Sequence, residues 1–495
     1  MKIELSEAVN LTLNIQSELE HLSPSIGNVC LWPVIRNAIY DNLFHGHFAS
    51  NSDYPNELLK TSKNPITLLK SIWCLRKSKI LIRNLYDSKN KHLFIFEPDG
   101  VEFNEKIDGK RFNHYKDPYY EALDEYSKVD RLKIIEEPTS FVSNDFHASE
   151  ETSLYLYKQY KLLHKIIFSI RHKKQIKELD LYISLINKIY DENNISKKLY
   201  FNKIISFISE IFFYISYYTL ILKIKSPFSV FTCCYFRSIH SYAIMVASKN
   251  LGIPTFDIQH GCITHHFLHW SKASNEYLFL PDHYITWGDI HEHFFNKKSP
   301  TNQISPLSGF NLWLHKHKRG DIPKPSCYKI NKNLKYKKKV LFIHQWVKHR
   351  WNTTSLIELI NNCPKDWLWL YRFHPSTEGL MRREIETAFE DIENVEFEES
   401  SKLPLPCLLD ETDICITRYS ATAFDCYDYQ TPVVFVDNGA LLYFEDIIDG
   451  ETNHLAVNTD EIVQILKTNT FNLSYAGLRN EKQKFVEEIE KTMNI

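Results

Sequence analysis

The strongest constraint on the fold of this chain is a strand–helix–strand pattern between residues 226 and 261. The apolar run from Ser226 to Phe236 is typical of a buried strand, and the next segment has helical spacing up to Gly252. Glycine at that point favours a helix C-cap. A second strand is predicted from Ile253 to Gly261. Such a unit implies a parallel sheet.

The same alternation returns after a linker. Residues 309–339 contain two prolines, several polar residues and the run KYKKK, which predict a connection between domains. Strands are then predicted at Lys339–Gln345, Trp367–Pro375, Asn394–Glu399, Thr412–Arg418 and Thr431–Asp437. Alternating strands and helices indicate a second doubly wound domain.

The remaining segments are predominantly helical by periodicity. Helices are predicted at Leu31–Phe44, Pro65–Tyr86, Glu151–Ile224 and Leu478–Met493, and a strand at Lys91–Gly100. The predicted fold class is α/β, with two Rossmann-like domains and a helical N-terminal extension. The expected regions are a helical part (1–85), a first Rossmann-like acceptor domain with a helical insertion (86–310), a linker (311–338), a second, nucleotide-binding domain (339–477) and a C-terminal helix (478–495).

Composition excludes some classes of function. A chain of 495 residues is too long for a single hydrophobic core, so we expect two or three domains. Its net charge of −2 gives no global reason to bind nucleic acid. The ten cysteines include no C-x-x-C pair, and the N-terminus lacks a signal-peptide pattern, so we expect a cytoplasmic protein with reduced thiols. The segment Ile204–Ile224 is long enough to span a bilayer, but it carries Glu210 and Lys223, which favour a buried or interfacial helix.

Three strand ends carry residues suited to chemistry. The first is Asp257-Ile258-Gln259-His260-Gly261. A histidine titrates near neutral pH, so His260 is a candidate general base for an acceptor hydroxyl, with Asp257, Gln259 and Gly261 lining the same edge. The alternative is a histidine that only holds the turn by hydrogen bonds.

The second strand end is Arg372-Phe373-His374-Pro375-Ser376. Period-two alternation places Arg372 and His374 on one face, and Pro375 ends the strand. Two such side chains suit a phosphate; the alternative is a histidine that caps a loop.

The third strand end passes into a helix through Arg418, Ser420, Thr422 and Asp425. Helix N-termini bind anions, and the hydroxyls add donors. Asp425 is a candidate acceptor for ribose hydroxyls. The alternatives are simple N-capping by Ser420 and an acidic residue favoured by the helix dipole.

Taken in order, Q-H-G, ITWGD, LSG, LFIHQ, RFHPS and S-A-T-A-F-D resemble bacterial capsule and surface-carbohydrate glycosyltransferases of the GT-B type. The similarity is greatest to the group of sialyl-, polysialyl- and Kdo-transferases with an H-P motif and a later Ser/Thr motif. It spans roughly residues 226–437. The resemblance implies that His374 and Ser420 or Thr422 bind the phosphate and ribose of a CMP-sugar, and that no bound metal or other cofactor is needed.

The sequence departs from that group at the general base. Many of its members have an acidic D/E-D-G at a strand end, where this chain has Gln259-His260-Gly261. Either His260 is the base or the base lies elsewhere. Asp99, in E-P-D-G after a strand, is the second candidate, so the stereochemistry stays open.

Metal binding is the competing use of the histidines. They are dense in one part of the chain: His265, His266, His269, His283, His291 and His293. No H-E-x-x-H or cysteine pair accompanies them, so we expect no metal site.

The favoured function is transfer of a sugar from a nucleotide donor to a glycan or lipid-linked glycan acceptor of the bacterial surface, with peripheral association at the inner membrane. A polyol-phosphate transferase using a CDP-polyol resembles this pattern too. A non-catalytic scaffold is the third alternative, because the Lys-rich helices between Tyr157 and Lys198 and the apolar segment after them suit an anionic membrane.

Overall fold

The computed structural model describes residues 5–44, 94–96, 105–107, 110–124, 129–135, 151–155, 158–233, 239–261, 277–298, 303–321, 336–345, 353–374, 377, 379–468 and 481–493. The chain divides into two compact units. The first contains the described residues up to His260, those from Tyr277 to Phe310, and the C-terminal segment. The second contains Gly261 and the described residues from Asn311 to Thr468.

The described residues of the first unit form eleven strands. In chain order these are β1 (Ser25–Ile26), β2 (Val29–Cys30), β3 (Phe94–Phe96), β4 (Glu105–Ile107), β5 (Lys110–Phe112), β6 (Val129–Ile135), β7 (Glu151–Tyr155), β8 (Ser229–Cys233), β9 (Thr255–Ile258), β10 (His283–Thr286) and β11 (Ser305–Ser308). Two antiparallel pairs, β1–β2 and β4–β5, lie outside the main sheet.

The other seven strands form one parallel sheet in the order β7-β6-β3-β8-β9-β10-β11. Numbered by position along the chain, this order is 3-2-1-4-5-6-7, which extends the Rossmann order by one strand. All residues of β8 and β9 are buried, as the continuous apolar runs predicted, because helices cover both faces of parallel sheets.

A close backbone approach explains the glycine of the L-S-G sequence after β11. Gly309 donates its N–H to the carbonyl of Thr286 at 2.9 Å. A Cβ added at Gly309 would lie 2.0 Å from Cγ2 of Ile285, so a side chain there requires a shift.

Eight helices belong to the described part of the first unit before residue 311. They are α1 (Leu5–Leu19), α2 (Trp32–Phe44), α3 (Asp117–Asp124), α4 (Lys158–Arg171), α5 (Lys173–Glu192), α6 (Phe201–Lys225), α7 (Ile239–Asn250) and α8 (Asp289–Lys298). The predicted C-cap of α7 is confirmed, since Gly252 has a φ of +67° and the Ile253 N–H donates to the carbonyl of Ser248.

Helix α6 contains the long apolar segment considered above as a membrane span. It packs against α2, α4, α5 and α7. Among the described residues it is the one helix that could span a membrane by length and composition, and half of its most apolar window is buried. Its Glu210 lies 3.8 Å from Nζ of Lys165.

The second unit contains one parallel sheet in its described residues. Its strands are β12 (Lys338–Ile343), β13 (Trp367–Arg372), β14 (Val395–Glu396), β15 (Ile414–Thr417), β16 (Val433–Phe435) and β17 (His454–Leu455). They are arranged in the order β14-β13-β12-β15-β16-β17, which is 3-2-1-4-5-6 by chain position, the Rossmann order.

The helices of the second unit fall between these strands. Those described are α9 (Leu312–Lys318), α10 (Thr353–Asn361), α11 (Gly379–Ala388), α12 (Glu398–Lys402), α13 (Leu405–Leu409), α14 (Thr422–Tyr429), α15 (Leu441–Phe444) and α16 (Thr459–Thr468). Leu359 of α10 and Leu466 of α16 are fully buried with the sheet residues Val340 and Ile416 in one apolar core.

The last helix returns to the first unit. Helix α17 (Glu481–Met493) packs against α3 and β11, and its Phe485 ring meets the Tyr119 ring edge-on at 5.1 Å. Both side chains are buried, so the C-terminal segment contributes to the core of the N-terminal unit.

The fold class is confirmed: the chain is α/β with two Rossmann-like sheets and helices near its N-terminus. Two expectations need correction. Glu151–Tyr155 is an edge strand paired with β6 and not the start of a helix. The segment treated as a linker contains α9, whose N-cap is Asn311, and β11 precedes it unpredicted. The predicted helix Pro65–Tyr86 lies outside the described residues.

Candidate functional site

The strand order of the second unit defines where a ligand should bind. The chain leaves β12 in one direction toward β13 and later returns on its other side at β15. Ligands of open parallel sheets bind beyond the carboxyl ends of the strands at such a switch point. His344 follows β12 and Arg418 follows β15, so both lie at this point, with His374 beyond the neighbouring strand β13.

Arg418 is the most buried charged group at this edge. Its side chain is 6% exposed, and its Nε and Nη2 donate to the Asp437 carboxylate at 3.1 and 3.0 Å. Nη2 also donates to the Tyr419 hydroxyl at 3.2 Å. Nη1 is buried and has no hydrogen-bond partner among the described residues. The two N–H groups of Nη1 are therefore available to a ligand as far as the described residues show.

The carboxylate that pairs with Arg418 is itself fixed. Asp437 Oδ1 accepts the N–H of Gly439 at 2.7 Å in a tight turn after β16. A Cβ at Gly439 would lie 3.0 Å from that oxygen and 3.2 Å from the Tyr419 ring. Close packing at this turn thus holds Asp437, and through it Arg418, in one position.

His344 lies beside the rings of Tyr371 and Phe373, at 5.8 and 5.7 Å between ring centroids. Burial, and then the positive charges of His374 and Arg418, together lower its pKa to about 4. The imidazole is therefore neutral at pH 7. Its Nδ1 is buried without a partner in the described part of the chain, so it can donate or accept one further hydrogen bond.

At the H-P strand end, Arg372 bonds to the protein backbone, whereas His374 is partly exposed to solvent. Arg372 Nη1 donates to the backbone carbonyls of Ser400 and Leu403 at 2.8 and 2.6 Å, which fastens the end of α12 to β13. His374 is half-buried, and its carbonyl accepts the Thr377 N–H at 2.9 Å. Strand β13 ends at Arg372, so His374 lies two residues beyond its end. Ligand binding by Arg372 and His374 stays a prediction.

The structure does not describe two of the donor-binding residues predicted from the H-P sequence. Pro375 and Ser376 are outside the described residues. Thr377, the next described residue, has a buried Oγ1 without a partner among the described residues. The Thr377 side chain therefore adds a hydroxyl after His374 that the sequence analysis does not predict as part of the site.

Ser420 and Thr422 form the entry to α14. The Thr422 N–H donates to Ser420 Oγ at 3.3 Å, and the two hydroxyls lie 3.1 Å apart. The N-cap of α14 is Ala421, which makes no side-chain capping bond, so the bond to Ser420 is a local turn just before the helix. Both side chains are half-buried, so their hydroxyls retain access to a ligand.

Asp425 is tied to a neighbouring helix. Its Oδ1 accepts from Asn311 Nδ2 at 3.1 Å, and Asn311 also caps α9. Burial raises the pKa of Asp425 well above its ordinary value, with nearby Asp428 adding to the effect. In the structure Asp425 joins α14 to α9; a contact with ribose stays a prediction.

At the strand end of the first unit, the predicted residues have partners within the protein. Asp257 is buried and accepts from Thr232 Oγ1 at 2.6 Å. Gln259 is fully buried: its Oε1 accepts the Trp287 N–H at 2.8 Å, and its Nε2 lies 2.9 Å from His291 Nδ1. These two residues hold neighbouring strands together.

His260 is the half-exposed residue of this strand end. Its ring stacks on Tyr115, with centroids 4.1 Å apart and an interplanar angle of 28°. Tyr115 lies in a turn closed by Asn113, whose Oδ1 accepts the Tyr115 N–H at 3.1 Å. The fold thus fixes the imidazole at the strand end. Gly261 is buried, and Asp99, the second candidate base, lies outside the described residues.

The described residues contain no group of three or more side chains placed to hold a metal ion. His265, His266 and His269 lie outside them. His291 is buried against Gln259, and burial lowers its pKa to about 3.

Sequence reasoning missed three residues of this candidate site: His344, Asp437 and Tyr115. The first two could have been predicted, because each is one of the last two residues of a strand predicted from the sequence. Had the strand order been known, the switch-point rule would have selected His344 first. Tyr115 offered no signal, since its contact with His260 joins residues far apart in sequence.

No family model matches the sequence, and no curated protein matches it. Solved structures similar in fold include UDP-GlcNAc 2-epimerase from Neisseria meningitidis bound to UDP-GlcNAc (14% identity, 81% of this chain and 93% of that chain, TM-score 0.44). The enzyme of the same name from Rickettsia bellii has 13% identity over 81% and 97%, with a TM-score of 0.46. The wall teichoic acid polymerase TagF has 11% identity over 89% and 93%, with a TM-score of 0.38. The assignment of two Rossmann-like sheets rests on the strand order.

Proposed function

We propose that this protein is a glycosyltransferase that transfers a sugar from a nucleotide donor to a bacterial surface polysaccharide, of the capsule or lipopolysaccharide kind. The observation that carries the proposal is the buried Arg418 guanidinium at the switch point of the second sheet, whose Nη1 has no hydrogen-bond partner among the described residues and lies near a neutral His344. A buried donor without a partner is costly unless a ligand accepts from it.

The chemistry of that position selects an anion. Arg418 and Asp437 neutralise each other, and the planar guanidinium still offers Nη1 to an incoming oxygen. Guanidinium groups suit phosphate because their donors lie in a fixed plane. His374 follows β13, and the hydroxyls of Ser420 and Thr422 follow β15; these two strands flank β12 in the same sheet, which supports a phosphate with an attached ribose.

The proposed reaction assigns the donor to the second unit and the acceptor to the first. His260 takes the proton of an acceptor hydroxyl, and the hydroxyl oxygen bonds to the anomeric carbon of the sugar. The bond between that carbon and the nucleotide phosphate breaks, and the released phosphate keeps the bonding electrons. Cationic and hydrogen-bonding groups at the second sheet stabilise the charge that develops on it.

A CMP-sugar, such as one of Kdo or a sialic-acid-like sugar, is the favoured donor. This preference rests on the similarity of the R-F-H-P-S and S-A-T-A-F-D sequences to the H-P and Ser/Thr motifs of that group. Cytoplasmic location is part of the proposal, because nucleotide donors are made and used there.

The first experiment is a thermal-shift panel of purified protein with CMP, UDP, GDP and TDP, each with and without EDTA. A ligand that binds only the folded state raises stability by RT ln(1 + [L]/Kd), so millimolar donor nucleotide should raise the Tm. We expect a CMP-selective shift that EDTA does not change and that His374→Ala reduces. His454→Ala, in the same unit, serves as the matched control.

The outcomes separate the alternatives. A shift with UDP or GDP alone would keep the class of enzyme but contradict the CMP-sugar. No shift with any nucleotide would favour the scaffold. If CMP binds, product analysis decides the reaction: a new glycosidic bond supports the proposal, whereas a new phosphodiester identifies a polyol-phosphate transferase.

A further inference from the structure

One corner of the first unit combines exposed apolar and basic side chains. It lies where α4 meets α5, and we name it the basic–apolar corner. Its members are Ile167, Ile170, Arg171, Lys173, Lys174 and Lys177. Ile167 and Ile170 are 52% and 73% exposed, which is unusual for large apolar side chains in a folded unit.

Helical spacing relates the members of the corner within each of the two helices. Ile167, Ile170 and Arg171 are spaced i, i+3, i+4 on α4 and share one face. Lys173 begins α5 one residue after the single-residue break at His172. Leu181, 66% exposed, continues the same face of α5 four residues after Lys177.

The charge of this corner departs from that of the whole protein. Four of its six members are basic and none is acidic, in a chain with a net charge of −2. Lys174 is paired with Glu178 at 3.8 Å, but both side chains are largely exposed, so this pair is weak. Arg171, Lys173 and Lys177 are exposed and have no acidic partner among the described residues.

We propose that the basic–apolar corner binds the surface of an anionic lipid bilayer, with the two isoleucines inserted at the headgroup boundary and the basic side chains on the lipid phosphates. Exposed apolar side chains flanked by lysine and arginine are the composition of interfacial membrane contacts. The positive charge matches the negative surface, and each basic residue near it contributes about 1 kcal/mol, or about fivefold in partition. This inference does not depend on the proposed reaction.

Helix α6 is not the contact in this proposal. It packs against α2, α4, α5 and α7 inside the first unit. The contact proposed here therefore lies at the bilayer surface, and high salt should weaken it, since screening weakens the lysine contacts.

The test is co-sedimentation of the full-length protein with vesicles of phosphatidylcholine alone or with phosphatidylglycerol added. We expect binding to the anionic vesicles only, and release in 0.5 M NaCl. Ile167→Gln/Ile170→Gln should lower the partition constant about tenfold or more, and Lys173→Gln/Lys174→Gln by at least tenfold. Glutamine keeps helix propensity, so the fold should be retained, which circular dichroism can verify.

Matched controls lie on the second unit. Leu380 is 72% exposed, and the Lys337 side chain is 82% exposed. Leu380→Gln and Lys337→Gln should bind vesicles like the unchanged protein. Equal loss in corner and control variants, or no binding of the unchanged protein, would overturn the proposal. So would a lipid-free dimer, seen by sedimentation velocity, that the isoleucine substitutions dissociate, because a second copy would then cover the corner.

Discussion

The two sheets share the Rossmann strand order, yet the polar groups beyond their strands have different surroundings. At the end of β9, Gln259 uses both ends of its amide on protein partners. At the switch point of the second sheet, His344 Nδ1, Gln345 Oε1 and Arg418 Nη1 are buried without partners among the described residues. Since buried polar groups are normally satisfied, the second sheet has the features of a ligand site.

The difference teaches that a polar strand end is not by itself a site. Asp257 and Gln259 looked like cleft residues in the sequence, and the structure uses them to join strands. His260 is the exception in the first unit, because its side chain is half-exposed and its ring stacks on Tyr115. Four predictions test this difference between the two sheets.

The largest effect is expected at His260. If it is the general base, His260→Ala should lower kcat by about 10²–10⁴-fold with little change in Tm, because the side chain is half-exposed. The unchanged enzyme should lose kcat/KM on the acid side with an apparent pKa of about 6–7, since the base must be neutral to accept a proton. Steady-state kinetics across pH measures both. His293→Ala, exposed in the same unit, is the control; a profile flat to about pH 5 would count against His260.

The next effect is expected at Arg418. Arg418→Met leaves the Asp437 carboxylate without its cation, and breaking such a buried pair costs about 3–5 kcal/mol of unfolding free energy. The double variant Arg418→Met/Asp437→Asn should recover most of that stability and still fail to bind nucleotide. Urea unfolding and calorimetric titration separate the two effects. Nucleotide binding by the double variant at the original affinity would remove Arg418 from the site.

A smaller effect should distinguish the buried Gln259 from the half-buried Gln345. Gln259→Leu removes the hydrogen-bonding partner of the Trp287 N–H and of His291 Nδ1, which should cost about 2–6 kcal/mol in urea unfolding at about 1–3 kcal/mol for each group. Gln345→Leu removes an oxygen with no partner among the described residues, so it should cost less than about 1 kcal/mol. Equal costs would show that the two strand ends are equally satisfied and would end the comparison.

The smallest effect is a pH dependence at His344. Its pKa of about 4 lies below the ordinary 6.5, so the stability from its neutral form is complete above pH 6.5 and falls as pH drops toward 4. A bound phosphate favours the imidazolium and raises that pKa. Nucleotide affinity should therefore strengthen about three- to fourfold between pH 7.5 and 5.5 relative to His344→Gln, measured by calorimetry. Parallel pH profiles for both proteins would place His344 away from the phosphate.

Local sequence was sufficient to locate the strands and the class of fold. Buried parallel strands are continuous apolar runs that stop at polar residues or glycine, and β8, β9, β12, β13, β15 and β16 all follow that pattern. For the same reason the sequence placed His260, His374, Arg418 and Ser420 at strand ends. The sequence predicts helix where edge strand β7 lies, because an edge strand in a polar stretch lacks that apolar signal.

Only the tertiary structure decided which of those residues are used by the fold and which remain available. Arg418 pairs with Asp437 19 residues away, Gln259 with His291 32 residues away, and Asp425 with Asn311 114 residues away. Strand order and side-chain burial depend on packing between distant segments, and local periodicity does not encode them. The low pKa of His344 and the lack of a partner for Arg418 Nη1 among the described residues arise from that packing, so the sequence alone could name the strand ends but not the site.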